Sequence, residues 1–343
     1  MNIAQMKLEI ALATTANIPL MLWGPPGVGK SQGVEQWCLE NNYLFIDVRL
    51  SQKDAVDLMG IPYRDPDTDR THWAVPSTWP TDNVDTIIMF DEINHGTQAT
   101  LSAAFQAIQE RRIGDYFFPD KVRFIAAGNE AKHRTYANQM PSALRNRFGH
   151  IEVTSSEDDM CDYANAQGWS PLITGFFRFS PPSINEFEQH SESEEEKKRV
   201  SLVRTHNAFG TPRSWDAVNR LLTAAKGDIN RAKHLIIGTV GQELAAKFMG
   251  YAEYYKDLPD LNKLIKAPND FNVPENPGMQ YAICSGLAAK ADMKNIKNII
   301  KYVIRLPAEF QATCVKDALS RQPMIGGTTA FAEWAEKNED ILF

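Results

Sequence analysis

The chain has 343 residues, room for one large or two modest domains, each with its own core. With 43% hydrophobic and 23% charged residues, its composition is that of an ordinary globular protein. A net charge of −7 excludes bulk attraction for nucleic acid and leaves only a local basic patch for such a role.

The first residues, MNIAQMKLEIALATTAN, are amphipathic and have no basic stretch ahead of an apolar one, so they do not read as a signal peptide. No run approaches the ~20 apolar residues that a membrane-spanning helix needs. Cys38, Cys161, Cys284 and Cys314 are far apart, without metal-ligand spacing, as expected of a reduced, cytoplasmic chain with buried thiols.

In chain order, apolar runs at residues 18–24 (IPLMLWG), 43–49 (YLFIDVR), 86–93 (TIIMFDEI), 122–129 (VRFIAAGN) and, more weakly, 150–153 (HIEV) read as buried parallel strands. Helical patterns lie between them, for example at 31–41 and 98–111. This alternation predicts an α/β fold, a parallel sheet sandwiched by helices, with its ligand site at the carboxyl ends of the strands. Two β-hairpins are expected, at 54–80 and 111–122. Their aromatics Tyr63, Trp73, Tyr116, Phe117 and Phe118 either pack the hairpins or grip a substrate. Composition shifts near residue 155. The charged run from Ser191 (SESEEEKKR) reads as a linker or a solvated helix face. Residues 203–255 are helical, proline-rich loops follow at 258–278, and two or three further helices run to the end. The expected partition is 1–155 for the α/β unit, 156–255 for linker and helical lid, and 256–343 for a C-terminal helical extension.

The chemistry concentrates in two segments. Gly24-Pro25-Pro26-Gly27-Val28-Gly29-Lys30-Ser31 fits GxxxxGK[ST] between a strand and a helix. Glycines let the backbone curl so that its N–H groups face an anion, and the helix dipole adds positive potential. Lys30 should reach the β- and γ-phosphates of ATP, and the Ser31 hydroxyl should ligate Mg²⁺. Asp91 and Glu92 end the apolar run TIIMFDE, which places both carboxylates at a strand tip beside this loop. Asp91 is expected to hold Mg²⁺, and Glu92 to polarise the attacking water as general base. Together these make the chain an ATPase.

With GPPGVGKS go FDEIN (90–94), AAGNE (126–130), MPSALRNRF (140–148) and GTPRSWDAVNRLL (210–222). In this order and at these spacings they resemble the AAA+ ATPases, most closely the MoxR-type and midasin/dynein-related branch, over about residues 5–255. MoxR-type proteins commonly have Asp where Asn146 stands and a longer Gln-Asn-Pro-like signature at 128–130, so LRNRF is closer to the midasin/dynein-like form.

The resemblance implies a first sensor at Asn129 and an arginine finger for the neighbouring subunit at Arg147, with Arg145 as a rival or helper. It also implies a second sensor at Arg213 on the lid, and a hairpin insert at 54–80. A finger in trans implies a ring, most simply a homo-hexamer, acting as a chaperone-like remodelling ATPase on a partner protein such as one with a von Willebrand factor A domain. The alternative is a nucleic-acid-associated motor or translocase subunit, for which Lys197-Lys198-Arg199 and the lysines of 294–301 supply the basic candidates.

Overall fold

The computed structural model of the protein describes residues 1–129, 145–154, 156–186 and 208–338. They fall into two compact units, Met1–Ser155 and Ser156–Phe343. The charged run from Ser191, with its Lys197-Lys198-Arg199, and Met140 to Leu144 of the RNRF segment lie outside the described residues.

In the first unit, helix α1 (Ile3–Ala16) leads to strand β1 (Leu20–Trp23), helix α2 (Lys30–Glu40) and strand β2 (Leu44–Arg49). Short helix α3 (Ala55–Met59) precedes the antiparallel pair β3 (Ile61–Arg64) and β4 (Thr71–Ala74). Strand β5 (Thr86–Asp91) and helix α4 (Gln98–Glu110) follow, then a second small hairpin, β6 (Arg112–Ile113) with β7 (Tyr116–Phe117). Strands β8 (Val122–Gly128) and β9 (Gly149–Glu152) complete a five-stranded parallel sheet in the order β2-β5-β8-β1-β9.

The apolar runs become central strands because both sheet faces are covered. On β5, Ile87 and Met89 face a core with Met6, Ile10, Val34 and Trp37 from α1 and α2. Ile88 and Phe90 face the opposite core, with Ala103, Ala104 and Ala107 of α4. The small residues of α4 let the helix lie close to the sheet. Two runs read as buried strands are instead sheet edges. On β2 only Val48 is buried, and Leu44 is 47% exposed; on β9 only Ile151 is buried. An apolar run does not distinguish a central strand from an edge strand whose outer side chains remain in water.

In the second unit, helices α5 (Glu157–Ala166), α6 (Pro171–Phe179), α7 (Pro212–Ala224), α8 (Ile229–Val240) and α9 (Gln242–Lys256) enclose an aromatic core of Trp215, Phe176, Phe177, Phe248 and Tyr251. Short helix α10 (Leu261–Lys266) interrupts the proline-rich stretch. Beyond it come α11 (Pro277–Lys290), α12 (Ile296–Val303), α13 (Ala308–Arg321) and α14 (Thr329–Lys337), four helices where two or three were expected. The two shortest of these, α12 and α14, carry too few turns to show a periodicity beside their longer neighbours.

A buried ionic cluster ties α5, α6 and α13 together. Arg178 donates to Asp317 at 2.9 Å, to Glu157 at 3.1 Å and to Asp158. Burial raises the carboxyl pKa of Asp317 above its ordinary value, opposed by the charge of Arg178 and, more weakly, of Arg321. Replacing Arg178 by Met strands Asp317 in the interior and should destabilise the second unit by about 3–5 kcal/mol at neutral pH, as read by urea unfolding. Asp317 then has a still higher folded-state pKa, so the loss shrinks as pH falls through that value towards the unfolded carboxylate's. A loss that grew on acidification would contradict this account.

Candidate functional site

The carboxyl tips of β1, β5 and β8 converge, and the polar residues of the first unit that matter most sit there. Lys30, the first residue of α2, is only 8% exposed. Its ammonium donates to the carbonyls of Gly24 at 2.8 Å and Pro25 at 3.0 Å, and to Asn129 Oδ1 at 3.3 Å. Lys30 is thereby curled back over the loop that precedes it, with Asn129 beside it at the end of β8. Ser31 Oγ donates to Asp91 Oδ2 at 2.6 Å, so the hydroxyl of α2 and the carboxylate of β5 meet directly. Both are hard oxygen donors, the pair that Mg²⁺ prefers when phosphate and water complete its shell. Among the described residues no cluster of three or more His, Cys, Asp or Glu is arranged to hold a metal. A cation here would depend on phosphate oxygens as well as on the protein.

Glu92 follows Asp91 with φ 51° and ψ 38°, the left-handed region that costs a non-glycine residue about 1–2 kcal/mol. Its N–H donates to Asp91 Oδ1 at 2.8 Å, which helps to hold that turn. The Ser51 hydroxyl, from the short helical turn after β2, donates to Glu92 Oε2. The site therefore orients the two acids differently. Asp91 is engaged by Ser31 and by backbone, while Glu92 is turned out of the strand and held by a hydroxyl.

Three neighbours went unread in the sequence. Ser51 is one. Asn94 is another; it is 4% exposed and donates its amide to the Asn129 carbonyl at 2.6 Å, fixing the end of β8. Asp47 on β2 is the third. Burial raises its carboxyl pKa, Arg49 opposes this through a 3.0 Å hydrogen bond, and the charge of Asp91 adds to the rise. The available signal was the pairing of β2 beside the acidic strand, with Arg49 opposite Asp91. Any polar residue at or just past the end of β2 was a candidate on that ground.

Arg145 and Arg147 are exposed, in the short segment before β9. The Phe148 N–H donates to the Arg145 carbonyl at 3.3 Å, closing a tight turn with Arg147 inside it, and Phe148 is buried in the sheet core. Arg213 belongs to the second unit, where it is exposed in the first turn of α7 behind the Thr211 cap. Of the hairpin aromatics, Phe118 is buried against Trp79, Tyr116 and Phe124, and Tyr116 bonds the Pro80 carbonyl. Trp73 is half-buried, whereas Tyr63 is 51% and Phe117 68% exposed. Packing thus accounts for Tyr116 and Phe118, leaving Tyr63 and Phe117 available to a partner.

A curled glycine loop at the entrance to a helix, and an acidic strand whose first carboxylate meets that helix, define the class as P-loop nucleoside triphosphatases. Residues 19–148 match the sequence model of the AAA domain, dynein-related subfamily. That stretch is the chain's AAA domain, and the protein is an ATPase that binds ATP.

Among solved structures it is similar to an ATPase-assigned protein from Cytophaga hutchinsonii, at 12% identity and TM-score 0.34 over 92% of this chain and 80% of that one. It is also similar to a point mutant of RuvB from Thermotoga maritima, at 14% identity and TM-score 0.40 over 84% and 83%. A third is NtrX from Brucella abortus in complex with ADP, at 14% identity and TM-score 0.41 over 98% and 68%. No curated protein matches the chain. No helix among the described residues is long and apolar enough to cross a membrane.

Gly24 offers a direct test of the loop. Its φ is +154°, and a Cβ there would lie 2.3 Å from the backbone oxygen of Val153. Gly24→Ala must push the loop off the end of β9. The expected result is a lower melting temperature, equivalent to about 1–3 kcal/mol. A fluorescent ATP analogue should also bind about ten-fold more weakly. Wild-type affinity in the variant would show that the loop does not contact the nucleotide.

Proposed function

We propose that the protein uses Mg²⁺-dependent ATP hydrolysis to remodel or activate a partner protein, acting as a MoxR-like ring, most simply a homo-hexamer. The observation that carries this reading is the rooting of the two exposed hairpins. The first lies between β2 and the strand ending in Asp91, and the second immediately precedes β8, which Asn129 follows. Tyr116, on the second, bonds the Pro80 carbonyl on the segment after the first. Each hairpin is therefore joined through the chain to the start of a strand whose far end carries a site residue. The resemblance adds the partner class, a protein with a von Willebrand factor A domain being one form.

In this reading the backbone N–H groups of residues 24–31 and the Lys30 ammonium bind the phosphates. Lys30 exchanges the carbonyls of Gly24 and Pro25 for phosphate oxygens. Ser31 and Asp91 would hold Mg²⁺, which when bound neutralises charge on the phosphates. Glu92 accepts the proton of the attacking water once its carboxylate leaves Ser51, and Asn129 orients that water. Arg213 senses the γ-phosphate. Arg147, with Arg145 nearby, stabilises transition-state charge at a neighbour's site, an effect worth ~10³–10⁵ in rate for such arginines.

Glu92→Gln should keep ATP affinity and lose turnover by about 10²–10⁴-fold, whereas Lys30→Ala should lose binding. Normal turnover in Glu92→Gln would remove the general-base assignment. Specific ATPase activity should rise with protein concentration and then plateau, as sites completed by neighbours require. Arg147→Ala should bind ATP without hydrolysing it, and mixing it with Glu92→Gln should restore part of the activity. A self-sufficient monomer that is fully active at nanomolar concentration would overturn the ring. Stimulation by DNA that weakens steeply with salt would replace the protein-remodelling reading with a nucleic-acid motor.

A further inference from the structure

Arg147 protrudes from a turn, and something must hold that turn against the sheet. Phe148 anchors its downstream end in the core. The other anchor is His150, on edge strand β9. Its Nε2 lies 2.7 Å from the Arg145 carbonyl, the same oxygen that closes the turn with Phe148 N–H. Its Nδ1 lies 2.8 Å from Trp23 Nε1. The chemistry of the two partners fixes the tautomer. An indole N–H can only donate, so Nδ1 is the acceptor; a carbonyl can only accept, so Nε2 carries the hydrogen. Neutral His150 satisfies both at once. Its ring is nearly parallel to the Trp23 indole, with an interplanar angle of 11° and centroids 6.1 Å apart.

Trp23 is the last residue of β1, and Gly24 of the phosphate loop follows it directly. The opposite edge of its indole abuts Gly128. A Cβ at Gly128 would lie 3.2 Å from Trp23 Cζ3, 2.8 Å from Met21 Cε and 3.0 Å from Asn94 Oδ1. Only glycine permits so close an approach here, and the next residue is Asn129. One rigid aromatic plate therefore spans the tips of three strands. It touches the residue before Asn129, carries the residue before the phosphate loop, and ends through His150 on the carbonyl that closes the Arg147 turn.

We propose that Trp23 and His150 form a strut that positions the Arg145–Phe148 turn, so that Arg147 is presented correctly to a neighbouring site in step with the phosphate loop of its own subunit. His150 is on this view a positioning residue. It acts through the Arg145 carbonyl on Arg147, and the proposal rests on the reading of Arg147 as an arginine that works in trans.

Because His150 is exposed, its replacement spares the core. His150→Phe keeps a flat ring and loses both hydrogen bonds. Asn carries a side-chain oxygen near the Nδ1 position, and Gln an amide near Nε2, so each restores one end only. Expected for His150→Phe is a kcat lower by about 10–100-fold, the scale of a small misplacement of a catalytic group. KM and the affinity for a fluorescent ATP analogue should stay within about two-fold of wild type, with Arg147→Ala lower still. Asn and Gln at 150 should each remain below wild type, because a strut needs both ends. Mixing His150→Phe with Glu92→Gln should raise turnover above that of His150→Phe alone, since the Glu92→Gln subunits present a correctly held arginine.

If Arg147→Ala hydrolyses ATP normally, the trans-arginine reading fails and the strut has nothing to position. If Arg147→Ala is inactive while His150→Phe is normal, the strut alone is overturned. Weakened analogue binding in His150→Phe, or no gain on mixing, would place the effect in the subunit's own site and overturn it as well.

Discussion

Parallel strands buried on both faces leave polar chemistry only at their ends. In β5 and β8 almost every side chain is inside a core, so neither strand can place a charged group along its length without leaving it desolvated. Past Arg123 at the amino end of β8, the next place for a polar or charged group is the carboxyl tip. Asp91 stands there on β5, Asn129 follows β8, and Gly24 follows β1. The convergence of Lys30, Ser31, Asp91 and Asn129 is thus a consequence of core burial as much as of any local motif. The cores position the tips, and the tips make the site.

This explains what the sequence disclosed readily and what it did not. The glycine loop and the two acids are contiguous in sequence, and each has a spacing that chemistry restricts. Ser51, Asn94 and His150 each meet their partners from elsewhere in the chain, across 41, 35 and 127 residues for the hydrogen bonds to Glu92, Asn129 and Trp23. Asn94 ends the FDEIN motif, but no local pattern marks the partner it meets, nor Ser51 and His150. Strand order was needed first, because only the order β2-β5-β8-β1-β9 puts the end of β2 beside Glu92 and β9 beside Trp23. The misread burial of β2 has the same origin, since edge and centre are properties of order. The hairpin aromatics were undecided in sequence because a Phe that packs and a Phe that protrudes have the same neighbours. Phe117 and Phe118 are adjacent, and opposite faces of one short strand end separate them.

The helical unit shows a different economy. Its aromatic core needs no motif, only volume, so its helices were legible as periodicity while their number was not. A buried ionic cluster around Arg178 joins helices distant in sequence. Such a cluster contributes less net stability than its bonds suggest, because Asp317 and the Arg178 guanidinium must be desolvated to form it. What it does provide is alternatives that are costly. Any register of α13 on α6 other than the observed one leaves Asp317 without Arg178.

The same logic separates rigidity from motion in the first unit. Glu92 sits in a strained backbone conformation and is held by a hydroxyl at the surface, a contact that water can replace. Lys30 rests on carbonyls that phosphate oxygens can replace. Both are therefore held by interactions that can be exchanged at low cost when an anion arrives. The Trp23 plate is different: it is wedged against Gly128, and its ring has no comparable alternative. In the proposed function, an arriving γ-phosphate rearranges Lys30, Glu92 and Asn129 against this plate. In the mechanism proposed above, that rearrangement reaches the Arg147 turn through Trp23 and His150.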